Sequence, residues 1–370
     1  MPCGLEQELF FDDLKENIWQ PLLQHRYPMT GTIELTERCN YNCVHCYINQ
    51  PANDPAARQN ELSTPETFDV IDQLAAAGVL FLLITGGEPL LRPDFVDIFK
   101  HAREKGLVIT LFTNGALLTP EIAAVLADYG IRGIEISLYG ATPQTFEAMT
   151  RRPGAYQHCI RGIETALDYG LPSSLKSFVV RTNQHELAQM RAIADDYGVP
   201  FRYDTLLWPR VDHRNNGHDH DDELQLSIEE MIRLDIEDPE RLGAWQDVIT
   251  ERHGLKTNSE YIFNCGAAYH SFHIDAHGNL SPCAMVRVPC YNLLKINFTD
   301  AWEKLGQVRS LKRTHKVECA DCDYAILCNQ CTGWSQAVIG DAESVVPFIC
   351  QLTKRRMQAL KEINTIMEVK

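Results

Sequence analysis

The sequence predicts an α/β protein: a partial (β/α)6 TIM-like barrel followed by a cysteine-rich C-terminal domain. Three observations carry the prediction. From about Thr30, short β-rich runs alternate with helical patterns. Most of those helical patterns end on a glycine, and the cysteines gather in two places. A repeat of roughly 25–30 residues per strand–helix unit implies a parallel sheet. Six such units suit an open barrel better than a closed eight-fold one.

The strands, in order, are GTIEL, VLFLLIT, LVITLFT, IRGIEISL, SLKSFVV and PFRYDTL. Helical patterns fall at Pro65–Ala77, Pro93–Lys105, Pro120–Tyr129, Tyr156–Tyr169 and Glu186–Tyr197. Ser63-Thr64-Pro65 and Thr119-Pro120 are helix starts, because a hydroxyl caps and proline suits the first turn. Gly78, Gly106, Gly130, Gly170 and Gly198 stand where a left-handed stop belongs. Periodicity breaks at WPRVDHRNNGHDHDD (208–222), which reads as a solvated loop or, given its histidines, a metal site. A short helix follows at Ser227–Ile236. The expected division is an N-terminal extension 1–28, a barrel 29–207, a bridging region 208–260, a cysteine-rich domain 261–357 and a C-terminal helix or tail 358–370.

Composition removes whole classes of function. The chain has 370 residues, with 34 Lys and Arg against 50 Asp and Glu, a formal charge of −16. That field repels nucleic acid, and no Lys/Arg cluster offsets it. No apolar run approaches the roughly 18 residues of a membrane span. The N-terminus turns acidic at once and lacks a signal peptide's basic start, so a cytoplasmic protein is expected. Thirteen cysteines in a reducing compartment do not form a disulfide framework. Thiols spaced this closely serve metal.

The first group, Cys39-x3-Cys43-x2-Cys46, follows directly on the first strand. Three thiolates on a tight loop can hold three corners of a cubane iron–sulfur cluster and leave its fourth iron open. Zinc is the competing reading, with His45 a strained fourth ligand between two of the cysteines. CNYNCVHC resembles the CxxxCxxC signature of radical S-adenosylmethionine (radical SAM) enzymes, and Gly86-Gly87-Glu88-Pro89 after strand two resembles that family's GGEP motif. The resemblance runs from about Met29 to about Met357. It implies a 4Fe–4S cluster on Cys39, Cys43 and Cys46 whose open iron chelates S-adenosylmethionine (SAM). Reductive cleavage then yields a 5′-deoxyadenosyl radical that takes hydrogen from substrate. The GGEP residues would lie against the methionyl group, glycine letting backbone come close; an ordinary strand-to-helix turn needs the same glycines. Asn114 (in Thr113-Asn114-Gly115) and Ser137 resemble positions that shape the adenosyl pocket, although a turn or a core polar residue reads the same way. Arg181 could reach the same mouth.

The second group comprises Cys265, Cys283 with Gly278 five residues ahead, Cys319-x2-Cys322-x5-Cys328-x2-Cys331, and Cys350. Zinc ribbons separate such pairs by about 15–20 residues, so five is too tight. The arrangement is similar to the SPASM extension of radical SAM enzymes, except that Cys328 and Cys331 enclose two residues rather than three. The resemblance implies two auxiliary 4Fe–4S clusters, hence three clusters in all. Cys265, Cys283 and Cys331 would hold the first; Cys319, Cys322, Cys328 and Cys350 the second. The fourth position of the first is an open iron, His270, His273 or Cys290. Cys3 and Cys159 fit no spacing.

SPASM enzymes mostly modify ribosomally made peptides or a protein side chain, so the expected function is peptide crosslinking or oxidation. The alternatives are sulfatase-maturase-like protein oxidation, a small-molecule radical SAM dehydrogenase, and a non-catalytic iron–sulfur electron-transfer protein. Sulfatase maturases carry an aspartate after the second SPASM cysteine, where this chain has Ala284. With only 38 residues before Cys39, the expected partners are a peptide substrate, a separate leader-binding adaptor and a reductant such as flavodoxin or ferredoxin. The amphipathic segment Leu5–Gln24 would dock that adaptor or pack on the barrel.

Overall fold

The computed structural model describes residues 25–211, 223–252, 260–314, 319, 322, 324, 327, 328 and 330–368. The segment Leu5–Gln24 and nearly all of the histidine-rich loop lie outside them. Among the described residues no helix is long and apolar enough to cross a membrane.

Six parallel strands form the frame: β1 (Thr30–Thr36), β2 (Phe81–Gly86), β3 (Val108–Thr113), β4 (Gly133–Ser137), β5 (Ser173–Phe178) and β6 (Phe201–Asp204). Each pairs with the next in sequence. The register lines up Ile33, Ile84, Leu111 and Ile134 on one face, which is buried against the helices. The opposite face carries Phe112 beside Glu135, and Ser137 beside Lys176 and Arg202. One side of the sheet is thus apolar core and the other a polar lumen, as strand alternation requires.

The helices begin and end where the punctuation residues stand. Ser63 and Glu66 form a capping box on α1 (Thr64–Ala76), and Thr119 caps α3 (Pro120–Asp128), with α2 (Phe95–Glu104) between them. All five predicted stop glycines have φ between 64° and 87°. The sequence pattern places no helix between Ser137 and Tyr156; the structure has one, α4 (Pro143–Thr150), anchored by fully buried Phe146 and Met149. Then follow α5 (Ala155–Asp168), α6 (Leu187–Asp196), α7 (Ile228–Glu237) and α8 (Pro239–Arg252), of which α8 is absent from the sequence reading.

The sheet does not stop at the barrel. Strand β7 (Ser271–Ile274) pairs in parallel with the free edge of β1, and β8 (Asn279–Ser281) and β9 (Tyr291–Asn292) add antiparallel strands beyond it. Nine strands make one sheet in the order β9-β8-β7-β1-β2-β3-β4-β5-β6. Helix α9 (Phe298–Leu305) covers the added edge, and α10 (Thr332–Ile339) and α11 (Pro347–Glu368) complete the C-terminal region. Residues of the cysteine-rich segment therefore share a hydrogen-bonded sheet with β1, the strand that leads into the first cysteine loop.

The β1–β7 contact is close. A Cβ on Gly31 would stand 2.3 Å from the Phe272 ring, itself packed edge-on against Phe298 at 5.0 Å. Gly31→Ala should therefore destabilise the protein by about 1–3 kcal/mol, the usual cost of overpacking. In denaturant titrations, adding Phe272→Leu should recover part of that loss; an unchanged midpoint for the single variant would contradict the packing described.

Candidate functional site

The three cysteines of the first loop lie together just beyond the C-terminal end of β1, where barrel folds place their chemistry. Burial pushes the Cys43 thiol well above its usual range, and the neighbouring Cys39 and Cys46 push it further. Cys39 is raised by the same burial and by Glu88 and Cys46. Buried thiols in each other's company ionise only when a cation compensates them. The loop is pinned by α4, the unforeseen helix: Asn42 and Val44 donate their N–H groups to Thr150 O and Met149 O at 3.0 and 2.9 Å. His45 turns away from a ligand role, its ring lying edge-on to Tyr139 at 4.4 Å and 5.3 Å from Phe178.

The GGEP residues build the floor of this loop. A Cβ on Gly86 would meet Thr36 O at 2.2 Å, and one on Gly87 would meet Arg38 O at 2.3 Å. Gly87 N–H and Glu88 N–H donate to those same carbonyls at 2.7 and 2.9 Å. The close approach expected toward a methionyl group is, in this structure, an approach to the chain entering the cysteine loop. The Glu88 carboxylate is fully buried and accepts from Leu90 N, Thr113 Oγ1 and Asn114 N at 3.0, 2.8 and 2.8 Å. Pro89 opens a short 3-10 turn behind it. Asn114 continues the chain of bonds, its amide donating to Asn40 Oδ1 at 2.8 Å and standing 3.9 Å from Cys39 Sγ. Ser137, at the end of β4, is buried on the lumen side.

Arg181 does not join this group. It is exposed, its N–H bonds Leu224 O at 3.0 Å, and its charge acts on Glu230 of α7. The strand ends at Phe178, and a turn held by Asn183, which accepts from Val180 N at 2.8 Å, carries the arginine outward.

The sequence reading passed over two lumen features. Lys176 lies beside Ser137 on the neighbouring strand, its ammonium over the Phe112 ring, and burial lowers its pKa well below the ordinary value. Its alternation with Leu175 and Ser177 was the available signal. The second is a buried ionic cluster on Glu34. Arg287 donates to Glu34 through Nη2 at 2.8 Å and Nη1 at 3.2 Å, Tyr47 OH donates at 3.2 Å, and His273 Nε2 stands 3.5 Å away. Burial alone would raise the Glu34 pKa, but His273 and Arg287 outweigh it and hold the group at about 2. Tyr47 follows Cys46 and Arg287 lies four residues past Cys283, so one carboxylate spans both cysteine regions.

The remaining cysteines fall into two sets. Cys265 and Cys331 both act electrostatically on Cys283; Cys322, Cys328 and Cys350 all act on Cys319. A cavity of about 230 Å³ is lined by Cys265, Cys319, Cys328 and Cys331, with Arg313 and Gln330. Backbone N–H groups point at the sulfurs: Tyr41 to Cys39, Val286 to Cys283, Gln330 to Cys328 and Trp334 to Cys331, at 3.3–3.4 Å. Such bonds are the usual surroundings of cluster thiolates. Among the described residues no three His, Cys, Asp or Glu side chains close on a single ion. Thiols grouped around a volume, each free of a disulfide, fit a cubane that offers every thiolate its own iron. Of the candidate fourth ligands, His273 faces Glu34 with Nε2 at 3.5 Å, Cys290 is exposed, and His270 lies against Gly266, next to Cys265. Cys159 is core, burial pushing its thiol up to about 12.

Residues 33–192 match the family described as the Radical SAM superfamily. The chain is 27% identical over 336 residues to the AdoMet-dependent heme synthase of Methanosarcina barkeri (strain Fusaro / DSM 804), covering 85% of this chain and 94% of that one. It is 35% identical over 208 residues to the mycofactocin maturase MftC of Mycobacterium ulcerans (strain Agy99), covering 56% of this chain and about half, 54%, of the relative. Among solved structures it superposes on Streptococcus suis SuiB bound to precursor peptide SuiA with a TM-score of 0.59 at 17% identity, covering 86% and 74% of the two chains.

The Glu34 cluster yields a direct expectation. Glu34→Gln preserves shape but leaves Arg287 without its carboxylate, and should lower stability by about 3 kcal/mol, as for other buried pairs deprived of one partner. Chemical denaturation of the variant should show the drop; a stability equal to wild type would contradict the cluster.

Proposed function

We propose that the chain is a radical SAM enzyme of the SPASM type, which cleaves SAM reductively and takes hydrogen from a ribosomally made peptide, thereby crosslinked or oxidised. The observation that carries the reading is the convergence of Cys39, Cys43 and Cys46 at the barrel mouth, on a loop fastened through Asn114 and Glu88. In this reading residues 29–207 are the SAM-binding barrel and 261–357 the auxiliary-cluster domain. A 4Fe–4S cluster on the first three cysteines, when bound with SAM, supplies a 5′-deoxyadenosyl radical. Two further clusters, on Cys265, Cys283 and Cys331 and on Cys319, Cys322, Cys328 and Cys350, suit a reaction in which the substrate radical gives up a second electron.

The chain's own residues do the positioning. Glu88 holds Asn114, and Asn114 holds the cysteine loop through Asn40. Gly86 and Gly87 let that loop lie directly on strand β2. Ser137 and Lys176 form a polar wall at the mouth, and an ammonium in so dry a place suits a carboxylate such as SAM's methionyl group. Arg181, facing α7, is left out of that wall. Peptide substrate is supported by the likeness to a maturase and to a fold solved with a precursor peptide. A separate leader-binding adaptor and an electron donor of flavodoxin or ferredoxin type belong to the same proposal.

One observation favours a second reading. The relative matched over nearly its whole length is a heme synthase, so a small-molecule substrate is the alternative. Anaerobically reconstituted protein with SAM and dithionite should form 5′-deoxyadenosine, and replacing Cys39, Cys43 and Cys46 together by alanine should abolish it. Absence of SAM cleavage in the wild type would refute the assignment. A mass change in a candidate precursor peptide, set against one in an iron porphyrin, decides between the two substrates.

A further inference from the structure

Among the described residues, two arginines near the last cysteine set have buried donors without a partner. Arg356, on α11, is only 3% exposed. Its Nε donates to Asp235 Oδ2 at 2.8 Å and its guanidinium stacks on Trp245 at 4.1 Å. Its Nη1 is buried and has no partner among the described residues. Asp235 cannot supply one more acceptor easily, since its other oxygen already takes two donors from Arg241, at 2.9 and 2.6 Å. Arg313 lies on the wall of the cavity that Cys319 and Cys328 line together with Cys265 and Cys331, its charge acts on Cys319, and its Nε is likewise buried without a partner among the described residues.

Both side chains act on thiols of that set. Leu327, immediately before Cys328, packs in one apolar cluster with Met357 and Leu360, the turn of α11 that carries Arg356. The Arg356 charge interacts with Cys328, and the Arg313 charge with Cys319. A buried N–H left unpaired costs about 1–3 kcal/mol, so two such groups around one thiol set mark a place for an acceptor. Sulfur of a bound cluster, anionic and more so after reduction, is an acceptor of the right charge.

We propose that Arg313 and Arg356 donate hydrogen bonds to the sulfurs of the cluster held by Cys319, Cys322, Cys328 and Cys350 and raise its reduction potential. The inference rests on the reading above that this set holds a cluster. The physics is that one-electron reduction adds negative charge to the cluster, and fixed cations with N–H···S bonds stabilise the reduced form more than the oxidised one. Asp235 sets the angle of Arg356, while Arg241 keeps Asp235 paired if Arg356 is changed.

The test is a redox titration of the reconstituted full-length holoenzyme followed by electron paramagnetic resonance, with iron content measured alongside. Arg356→Met and Arg313→Met should each move one of the three midpoints to more negative potential, and the double variant should move that same midpoint further. Arg356→Lys, which keeps charge but not the fork, should give a smaller shift. The other two midpoints and the iron content should stay at wild type. Three unmoved midpoints at full iron content would overturn the proposal. Should Arg356→Met lose iron, Arg356→Lys and Arg313→Met carry the same test. Iron content that is unchanged when Cys319, Cys322 and Cys350 are replaced by alanine would overturn the cluster reading of this set, and this inference with it.

Discussion

Glu34 is a charged carboxylate with no exposed surface, and the arrangement of the site follows from what it takes to keep it there. It belongs to β1, an interior strand of the nine-stranded sheet, paired on one side to β2 and on the other to β7. A lone buried charge would be expelled or neutralised. Arg287, His273 and Tyr47 prevent that, and each arrives from a different segment: the loop after Cys283, the strand β7, and the residue after Cys46. The ion cluster works only with β7 paired to β1 and both cysteine regions drawn inward. Hydrophobic cores set how elements pack; this contact sets how far apart the two cysteine regions can be. An ion pair of this kind adds little net stability over an apolar substitute but strongly penalises any arrangement that separates its members.

Around that anchor the first cysteine loop is held through a chain of hydrogen bonds that starts at Glu88. Glu88 bonds the ends of β2 and β3 together, Asn114 reaches from β3 to Asn40, and Gly86 and Gly87 let the backbones touch. Helix α4 closes the other side through Thr150 and Met149. The lumen beyond carries charge rather than hydrocarbon, in Glu135, Lys176 and Arg202, which suits a polar or zwitterionic guest.

Much of this was legible in the sequence, for local reasons. The barrel strands are alternating runs bounded by glycines, and the helix ends follow capping and left-handed stops that act within a few residues. What escaped reading depends on distant partners. Strand β7 is four residues, SFHI, and becomes a strand only because the edge of β1 is there to receive it. Helix α4 has only Phe146, Ala148 and Met149 as hydrophobic residues after its first proline, and tertiary burial of Phe146 and Met149 decides its conformation over weak local periodicity. Glu34 gave no signal because a carboxylate inside a strand reads as a solvent-facing residue until its arginine is found 253 positions away. Arg181 failed for the opposite reason, since a turn three residues after the strand end reverses its direction. The cysteine groups were readable as groups, but the opposition of two arginines to the last set was not, because Arg313 and Arg356 belong to different elements.

On the function proposed above, the thiols form three separate cluster sites, of which the first is the SAM site. Iron stoichiometry measured in a series of full-length variants tests it most directly. Wild type, reconstituted anaerobically, should bind about twelve irons, four per cubane. Replacing by alanine the cysteines of any one set, whether Cys39, Cys43 and Cys46, or Cys265 and Cys283, or Cys319, Cys322 and Cys350, should leave about eight. Iron that does not fall by about four with each set, or zinc as the dominant metal, would contradict it.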